Sequence, residues 1–166
     1  METGKALLHT NDWFRTNRGT AWISENTEAG PDLRIIEVPI RNLDNLLGEE
    51  ETIGVLKMDV QGHELGVLQG MARLLQRRAV RDIVFEELAA YPAPTHEYLK
   101  SYGYSIFGLQ ETFAGVRGLP DAQPAFDPES GPAPNYLATR DAERAFARLS
   151  PAMWRSFGWG RLLVSR

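Results

Sequence analysis

Apolar residues in the middle of the chain follow two different patterns. Residues 53–60 form a nearly continuous apolar run, which is typical of a strand buried inside a parallel sheet. From His63 to about Arg77 the apolar residues recur at spacings of three and four, which predicts one amphipathic helix. Residues 82–88 then read as a second buried strand that ends in carboxylates. The central pattern is therefore strand, helix, strand.

Weaker patterns extend this order on both sides. A helix is predicted over 95–102, where a glycine follows, and strands are predicted at 104–109 and 135–139. The segment 119–134 is rich in proline, glycine and aspartate and is predicted to be a loop, and Asp141 is expected to cap a final helix. The first part of the chain contains three short β-prone segments and one short helix, at 6–9, 20–24, 34–38 and 43–47.

This alternation of strands and helices predicts an α/β sheet. Right-handed crossovers make the strands of such sheets parallel, and ligands bind beyond the carboxyl ends of the strands. That rule points to Asp59 at the end of the first buried strand, and to Glu86 and Glu87 at the end of the second. Neighbouring strand residues point to opposite sides, so only one of the two glutamates faces a site at this edge.

Composition excludes several classes of protein. The chain has 166 residues and a 43% apolar fraction, which fits one globular domain. Its formal net charge of -4, with scattered basic residues, argues against a phosphate-backbone binder. It has no cysteine, so disulfides, thiolate nucleophiles and cysteine-based zinc sites are excluded. No apolar run approaches about 18 residues, so we expect a soluble, cytoplasmic protein that binds neither nucleic acid nor membrane.

Residues 56–64 read Leu-Lys-Met-Asp-Val-Gln-Gly-His-Glu. They resemble the Lys-x-Asp-Val-Glu-Gly-x-Glu signature of the FkbM family of S-adenosylmethionine-dependent methyltransferases. Residues 43–47, Leu-Asp-Asn-Leu-Leu, resemble the family's Leu-Asp-x-Leu-Leu element. Gln61 departs from the signature, which usually has Glu at that position. Four further pieces follow in the family's order, at 68–70, 85–86, 103–107 and 135–138.

The resemblance implies a class I methyltransferase fold, an α/β, Rossmann-like sheet that is mostly parallel with one antiparallel strand near its end. In that fold a glycine-rich turn and an acidic residue hold the cofactor after the first two strands. No Gly-x-Gly cluster follows an apolar strand before residue 41. We therefore expect an N-terminally truncated domain, with short β segments over 1–40 that lead into a C-terminal portion over 41–166.

Such a truncation has a consequence for strand pairing. In the intact fold the first strand lies beside the fourth, which corresponds here to residues 53–60. An unpaired apolar edge invites pairing with another strand. We expect that the early β segments, a second copy of the chain in a homodimer, or a partner chain covers this edge.

Asp59 is the first candidate for chemistry. Methyl transfer from a sulfonium is an in-line displacement that needs alignment and often a base for the acceptor hydroxyl. A carboxylate at this strand end would orient or deprotonate that hydroxyl. The alternative is an ordinary N-cap for the helix that starts near His63. Lys57, inside the predicted buried strand, is expected to pair with Glu86.

Three neighbouring residues are further catalytic candidates. The resemblance favours Glu86 over Glu87 as the glutamate that faces the site. Glu64 either faces the same site or simply occupies the first helical turn, where acids suit the helix dipole. His63 has an unperturbed pKa near neutrality, which suits a proton acceptor, but a histidine at a turn is also commonly just solvated. Asp59, Glu64 and Glu86 offer oxygens for a divalent cation but lack the spacing of a metal motif, so we expect no metal.

The resemblance implies a methyltransferase that uses S-adenosylmethionine and acts on a hydroxyl of a small molecule or a sugar. Asp59 would orient the acceptor, with Glu86 or His63 assisting. The alternative is a truncated, catalytically silent domain that serves as a partner or structural subunit. A third alternative is that a separate chain supplies the nucleotide-holding half. No residue is assigned to cofactor binding.

Overall fold

The computed structural model describes residues 4–11, 21–24, 33–112, 115–120 and 134–149. Part of the predicted strand at 20–24 and most of the predicted loop at 119–134 lie outside these residues. In chain order the elements are β1 (Gly4–Asn11), β2 (Trp22–Ser24), β3 (Leu33–Ile40), α1 (Leu43–Leu46), β4 (Ile53–Met58), α2 (Glu64–Gln69), α3 (Ala72–Gln76), β5 (Val80–Glu86), α4 (Pro94–Ser101), β6 (Ser105–Thr112), β7 (Gly115–Pro120), β8 (Asn135–Thr139) and α5 (Ala142–Leu149).

The chain divides into two compact units. The first takes in the described parts of Met1–Glu51 together with Gly66–Leu74. Its sheet has the order β2-β1-β3, with both pairs antiparallel. The β-prone segments 6–9 and 34–38 are confirmed as parts of β1 and β3. Their register places Leu8 opposite Ile36 and Ala6 opposite Val38.

The helix predicted over 63–77 is two helices, α2 and α3, with a break at Gly70 and Met71. Asp44 accounts for the break, because its carboxylate accepts the backbone N–H groups of Arg73 and Leu74, each at 2.9 Å. These are the free donors at the start of a new helix. The Gly70 carbonyl in turn accepts the backbone N–H of Asp44 at 3.2 Å. The prediction of one continuous helix was wrong because a cap from a distant part of the sequence starts α3.

The second unit takes in Thr52–Leu65 and the described parts of Leu75–Arg166. Its sheet has the order β4-β5-β8-β6-β7, and only the β4–β5 pair is parallel. The predicted mostly parallel sheet is therefore wrong. Two residues join β6 to β7, and a connection that short can only make an antiparallel hairpin. Strand β8 lies between β5 and β6 and runs antiparallel to both, and β7 is antiparallel to β6, so the described part of this sheet has two antiparallel strands where the resemblance implied one.

Strand β4 is parallel to β5, as predicted, but it is not buried. It lies at the end of the sheet order, and Met58 is its one buried residue. Val55 is 58% exposed. Strand β5 has a neighbour on each side and buries Val80, Ile83 and Phe85 almost completely. The apolar composition of the two strands is similar, so their different burial follows from their places in the sheet.

None of the helices in the described ranges is both long enough and apolar enough to cross a membrane.

Candidate functional site

The two candidate acids at the strand ends lie side by side. Strands β4 and β5 are parallel, and Met58 is the register partner of Phe85. Asp59 and Glu86 are the next residues on their strands, so both lie at the carboxyl edge of this pair. They are close enough that each carboxyl group affects the pKa of the other. The structure therefore brings together two of the three acids that the strand-end rule selected from the sequence.

Asp59 is held by a donor on each of its oxygens. The Lys57 Nζ donates to Oδ2 and the Gln61 Nε2 donates to Oδ1, both at 3.1 Å. These hydrogen bonds, that from Lys57 first, lower the pKa of Asp59 despite its slight burial. The surroundings of Asp59 therefore favour its ionised form.

Glu86 has the opposite electrostatic environment. Burial raises the pKa of its carboxyl, and the negative charge of Asp59 raises it further. The positive charge of Lys57 acts against this, and the negative charge of Glu64 adds to it. Two acids whose surroundings push their pKa values apart can divide the roles of charged partner and proton acceptor.

The turn after β4 is shaped by Glu64 and two residues with positive φ. Gln61 has a φ of 52° and Gly62 a φ of 92°. The Glu64 Oε1 accepts the backbone N–H groups of Val60 at 3.4 Å and Gly62 at 3.3 Å, and Glu64 is only 4% exposed. Its carboxylate is thus used to hold the turn. His63 lies in the same turn with an exposed side chain.

Two expectations about this segment were wrong. Asp59 is not the N-cap of the helix that follows, because α2 starts at Glu64 and the donors recorded on both Asp59 oxygens are side chains. Lys57 pairs with Asp59 and not with Glu86, and 63% of its side chain is exposed because β4 is an edge strand. An exposed ion pair of this kind adds little stability, so its effect is on the charge state of Asp59.

Glu87 is buried and takes part in a different cluster. It is 7% exposed, and its Oε1 accepts the backbone N–H of Ala89 at 2.9 Å. Near it, His96 is fully buried against Tyr136, with ring centroids 4.4 Å apart. Burial, together with the charge of Glu87, raises the pKa of Tyr136 to about 12. The resemblance favoured Glu86 over Glu87 for the site, and the structure places Glu86, not Glu87, beside Asp59.

Sequence reasoning missed His96. Its Nδ1 accepts the backbone N–H of Ala93 at 2.9 Å, so the residue helps to cap α4. No clear signal was available in the sequence, because the predicted helix began at Thr95, whereas the structure places the N-cap at Ala93, three residues before His96, so that its side chain reaches back to the N-cap residue. The rings of Phe85 and Tyr91 also pack against the imidazole.

A cavity of about 530 Å³ lies at the other end of the second sheet. Its lining includes Arg78, Tyr102 and Arg140, next to the amino ends of β5 and β6. Arg140 donates to the carbonyls of Leu75 at 2.9 Å and Tyr102 at 2.8 Å. Its guanidinium thus closes the ends of α3 and α4. This cavity is not at the edge where the two acids lie.

No group of three or more potential metal ligands exists among the described residues, so Asp59, Glu64 and Glu86 do not form one.

A nucleoside cofactor needs a close approach of the backbone and polar atoms that are free to bind it. In the described ranges the buried side-chain polar atoms without a hydrogen-bond partner are His9 Nε2, His96 Nε2 and Arg144 Nε. None of them belongs to the acid pair. A Cβ added at Gly4 or Gly62 would meet open space, so neither marks a close approach.

The fold is an α/β domain with two acids side by side at the carboxyl ends of two parallel strands. Residues 5–106, more than half of the chain, match the model of a family described as "Methyltransferase FkbM domain". The chain therefore belongs to the FkbM methyltransferase family, and the predicted resemblance is confirmed. The matched range contains both Asp59 and Glu86. No curated protein and no solved structure was found to match the chain.

Proposed function

We propose that this methyltransferase domain serves the O-methylation of a hydroxyl on a small molecule or a sugar, with S-adenosylmethionine as the methyl donor. The observation that carries the proposal is the interacting pair of Asp59 and Glu86 at the carboxyl ends of β4 and β5. Open α/β sheets bind their ligands at such an edge. Family membership supports methyl transfer in general, and the acid pair supports a hydroxyl acceptor.

A hydroxyl that accepts a methyl group must lose its proton and must point at the methyl carbon. Asp59, as a carboxylate, accepts a hydrogen bond from the acceptor and fixes its direction. Glu86, beside it, is available for the proton. The cofactor supplies the methyl group and the positive charge that favours its transfer. His63 remains a candidate proton acceptor in the same turn, and Glu64 supports the turn.

The first test is transfer of labelled methyl groups from S-adenosylmethionine to a panel of sugars and hydroxylated small molecules. We expect Asp59→Asn and Glu86→Gln each to lower kcat/KM at least about tenfold, an ordinary loss for a positioned acid or base. Glu50→Gln, in the exposed turn before β4, is the matched control and should keep full activity. Unchanged turnover in Asp59→Asn would remove Asp59 from the mechanism.

A second measurement separates an enzyme from a silent domain. Calorimetric titration with S-adenosylmethionine should give heat at millimolar ligand or below. Absence of heat, together with absence of labelled product, would contradict independent catalysis by this chain. That result would favour the alternative of a catalytically silent partner domain.

A further inference from the structure

Gln61 is the position at which this chain departs from the family signature, and the structure shows what its amide does. The Nε2 group donates to Asp59 Oδ1 at 3.1 Å, while Lys57 donates to the other oxygen at the same distance. A glutamate at position 61 has no N–H to donate at neutral pH. It would instead place a second negative charge beside Asp59. The substitution of amide for carboxylate therefore changes how Asp59 is held.

The backbone of the turn does not explain a glutamine at this position. A φ of 52° is a left-handed conformation that disfavours residues with a Cβ and favours glycine. Glycine already follows at position 62, where φ is 92°. A residue kept in a strained conformation beside a candidate site points to a role for its side chain. The contact with Asp59 is that role.

We propose that Gln61 is a positioning residue. Its amide, together with Lys57, holds Asp59 as the carboxylate that orients the acceptor. Glu86 is then the group that takes the hydroxyl proton. This inference rests on the proposed function. It adds Gln61 to the roles that Asp59 and Glu86 have in that function.

The charges around the pair support this division. Hydrogen bonds from Lys57 and Gln61 lower the pKa of Asp59, which makes it a weak base and a persistent anion. Burial and the neighbouring Asp59 raise the pKa of Glu86, and Glu64 acts in the same direction. A carboxylate with a raised pKa binds a proton more readily near neutral pH. Glu86 is therefore the better proton acceptor of the two.

The test is a carboxyl-carbon NMR titration of Asp59 and Glu86 in the full chain. Gln61→Gly removes the amide and relieves the backbone strain. We expect the titration midpoint of Asp59 to rise and the gap between the two midpoints to narrow. Arg78→Gly is the matched control, because Arg78 also has a positive φ of 59° but lies between α3 and β5. It should leave both midpoints unchanged.

A second variant, Gln61→Glu, adds a charge in place of the amide. We expect the Asp59 midpoint to rise by about half a pH unit, the size expected for one added charge at about 6 Å in a water-like dielectric. The acid limb of the kcat/KM profile should move to higher pH as well, which a purely structural role would not cause. Unchanged midpoints in both Gln61 variants would overturn the inference whether or not the chain transfers methyl groups. Loss of the proposed function would be seen separately, as absence of methyl transfer by the unmodified chain.

Discussion

At the scale of single residues, His96 links the pH of the solution to the stability of the fold. Burial lowers the pKa of its imidazole, and the charge of Glu87 offsets this only in part. Lys100 lowers the pKa further, whereas Glu97 raises it. A folded-state pKa below the unfolded value of about 6.5 means that folding favours the neutral ring. The stability gained is complete above the unfolded pKa and is lost as the pH falls through the folded pKa.

We therefore expect the free energy of unfolding to fall as the pH drops below about 6.5, and His96→Gln to reduce that slope. Glutamine at this helix position can still accept the backbone N–H of Ala93. Urea unfolding at several pH values measures the slope. His63→Gln, a change at an exposed histidine, is the matched control. Equal slopes in His96→Gln and the unmodified chain would exclude His96 as the titrating group.

At the scale of elements, Asp44 explains why the Leu-Asp-x-Leu-Leu motif carries an acid. Both carboxylate oxygens accept backbone N–H groups of α3, and its own N–H donates to Gly70. Asp44→Ala should lower the free energy of unfolding by about 1–2 kcal/mol, the usual cost of a lost cap. Chemical denaturation measures this loss, with Glu49→Ala in the exposed turn after α1 as the control. A loss no larger than that of the control would mean that α3 starts without this cap.

Some of the helices and strands could be predicted from the sequence, and others could not. Apolar runs located β4, β5 and β8, and the capping residue Thr95 together with Gly103 located α4, because these signals are local in sequence. The break before α3 depends on Asp44, which lies 29 residues before Arg73 in sequence and has no periodic signature. Strand β7 has two glycines in six residues and no apolar run, so only its pairing with β6 reveals it.

The candidate site, like the fold, could be predicted from the sequence only in part. The pairing of Asp59 with Glu86 could be predicted, because the ends of adjacent parallel strands meet at one edge. The donors on Asp59 could not, since they depend on the positive φ of Gln61 and on the exposure of Lys57 at the sheet edge. Side-chain direction in a turn and place in a sheet are properties of tertiary structure, which local patterns do not encode.

At the scale of the whole molecule, we expect two copies of the chain to associate through the outer edge of β4. Strand β4 ends the five-stranded sheet, and within the described residues no strand pairs with its outer edge. Val55 is 58% exposed there, and the charge of Lys57, which often protects such edges, is engaged by Asp59. We expect a second copy to pair with this edge and form a homodimer.

Sedimentation velocity over a range of concentrations tests this expectation. The unmodified chain should show a mass that rises with concentration toward twice that of the 18.6 kDa monomer. Val55→Lys adds a second charge to the edge strand and should shift the distribution to monomer, because charged side chains, lysine above all, oppose edge-to-edge pairing. Leu88→Lys makes the same type of change at a residue that is 49% exposed and lies outside the strands, so it should leave the association intact. A monomer at all concentrations would mean that no second copy covers β4, whereas equal dissociation by both variants would point to a general effect of charge.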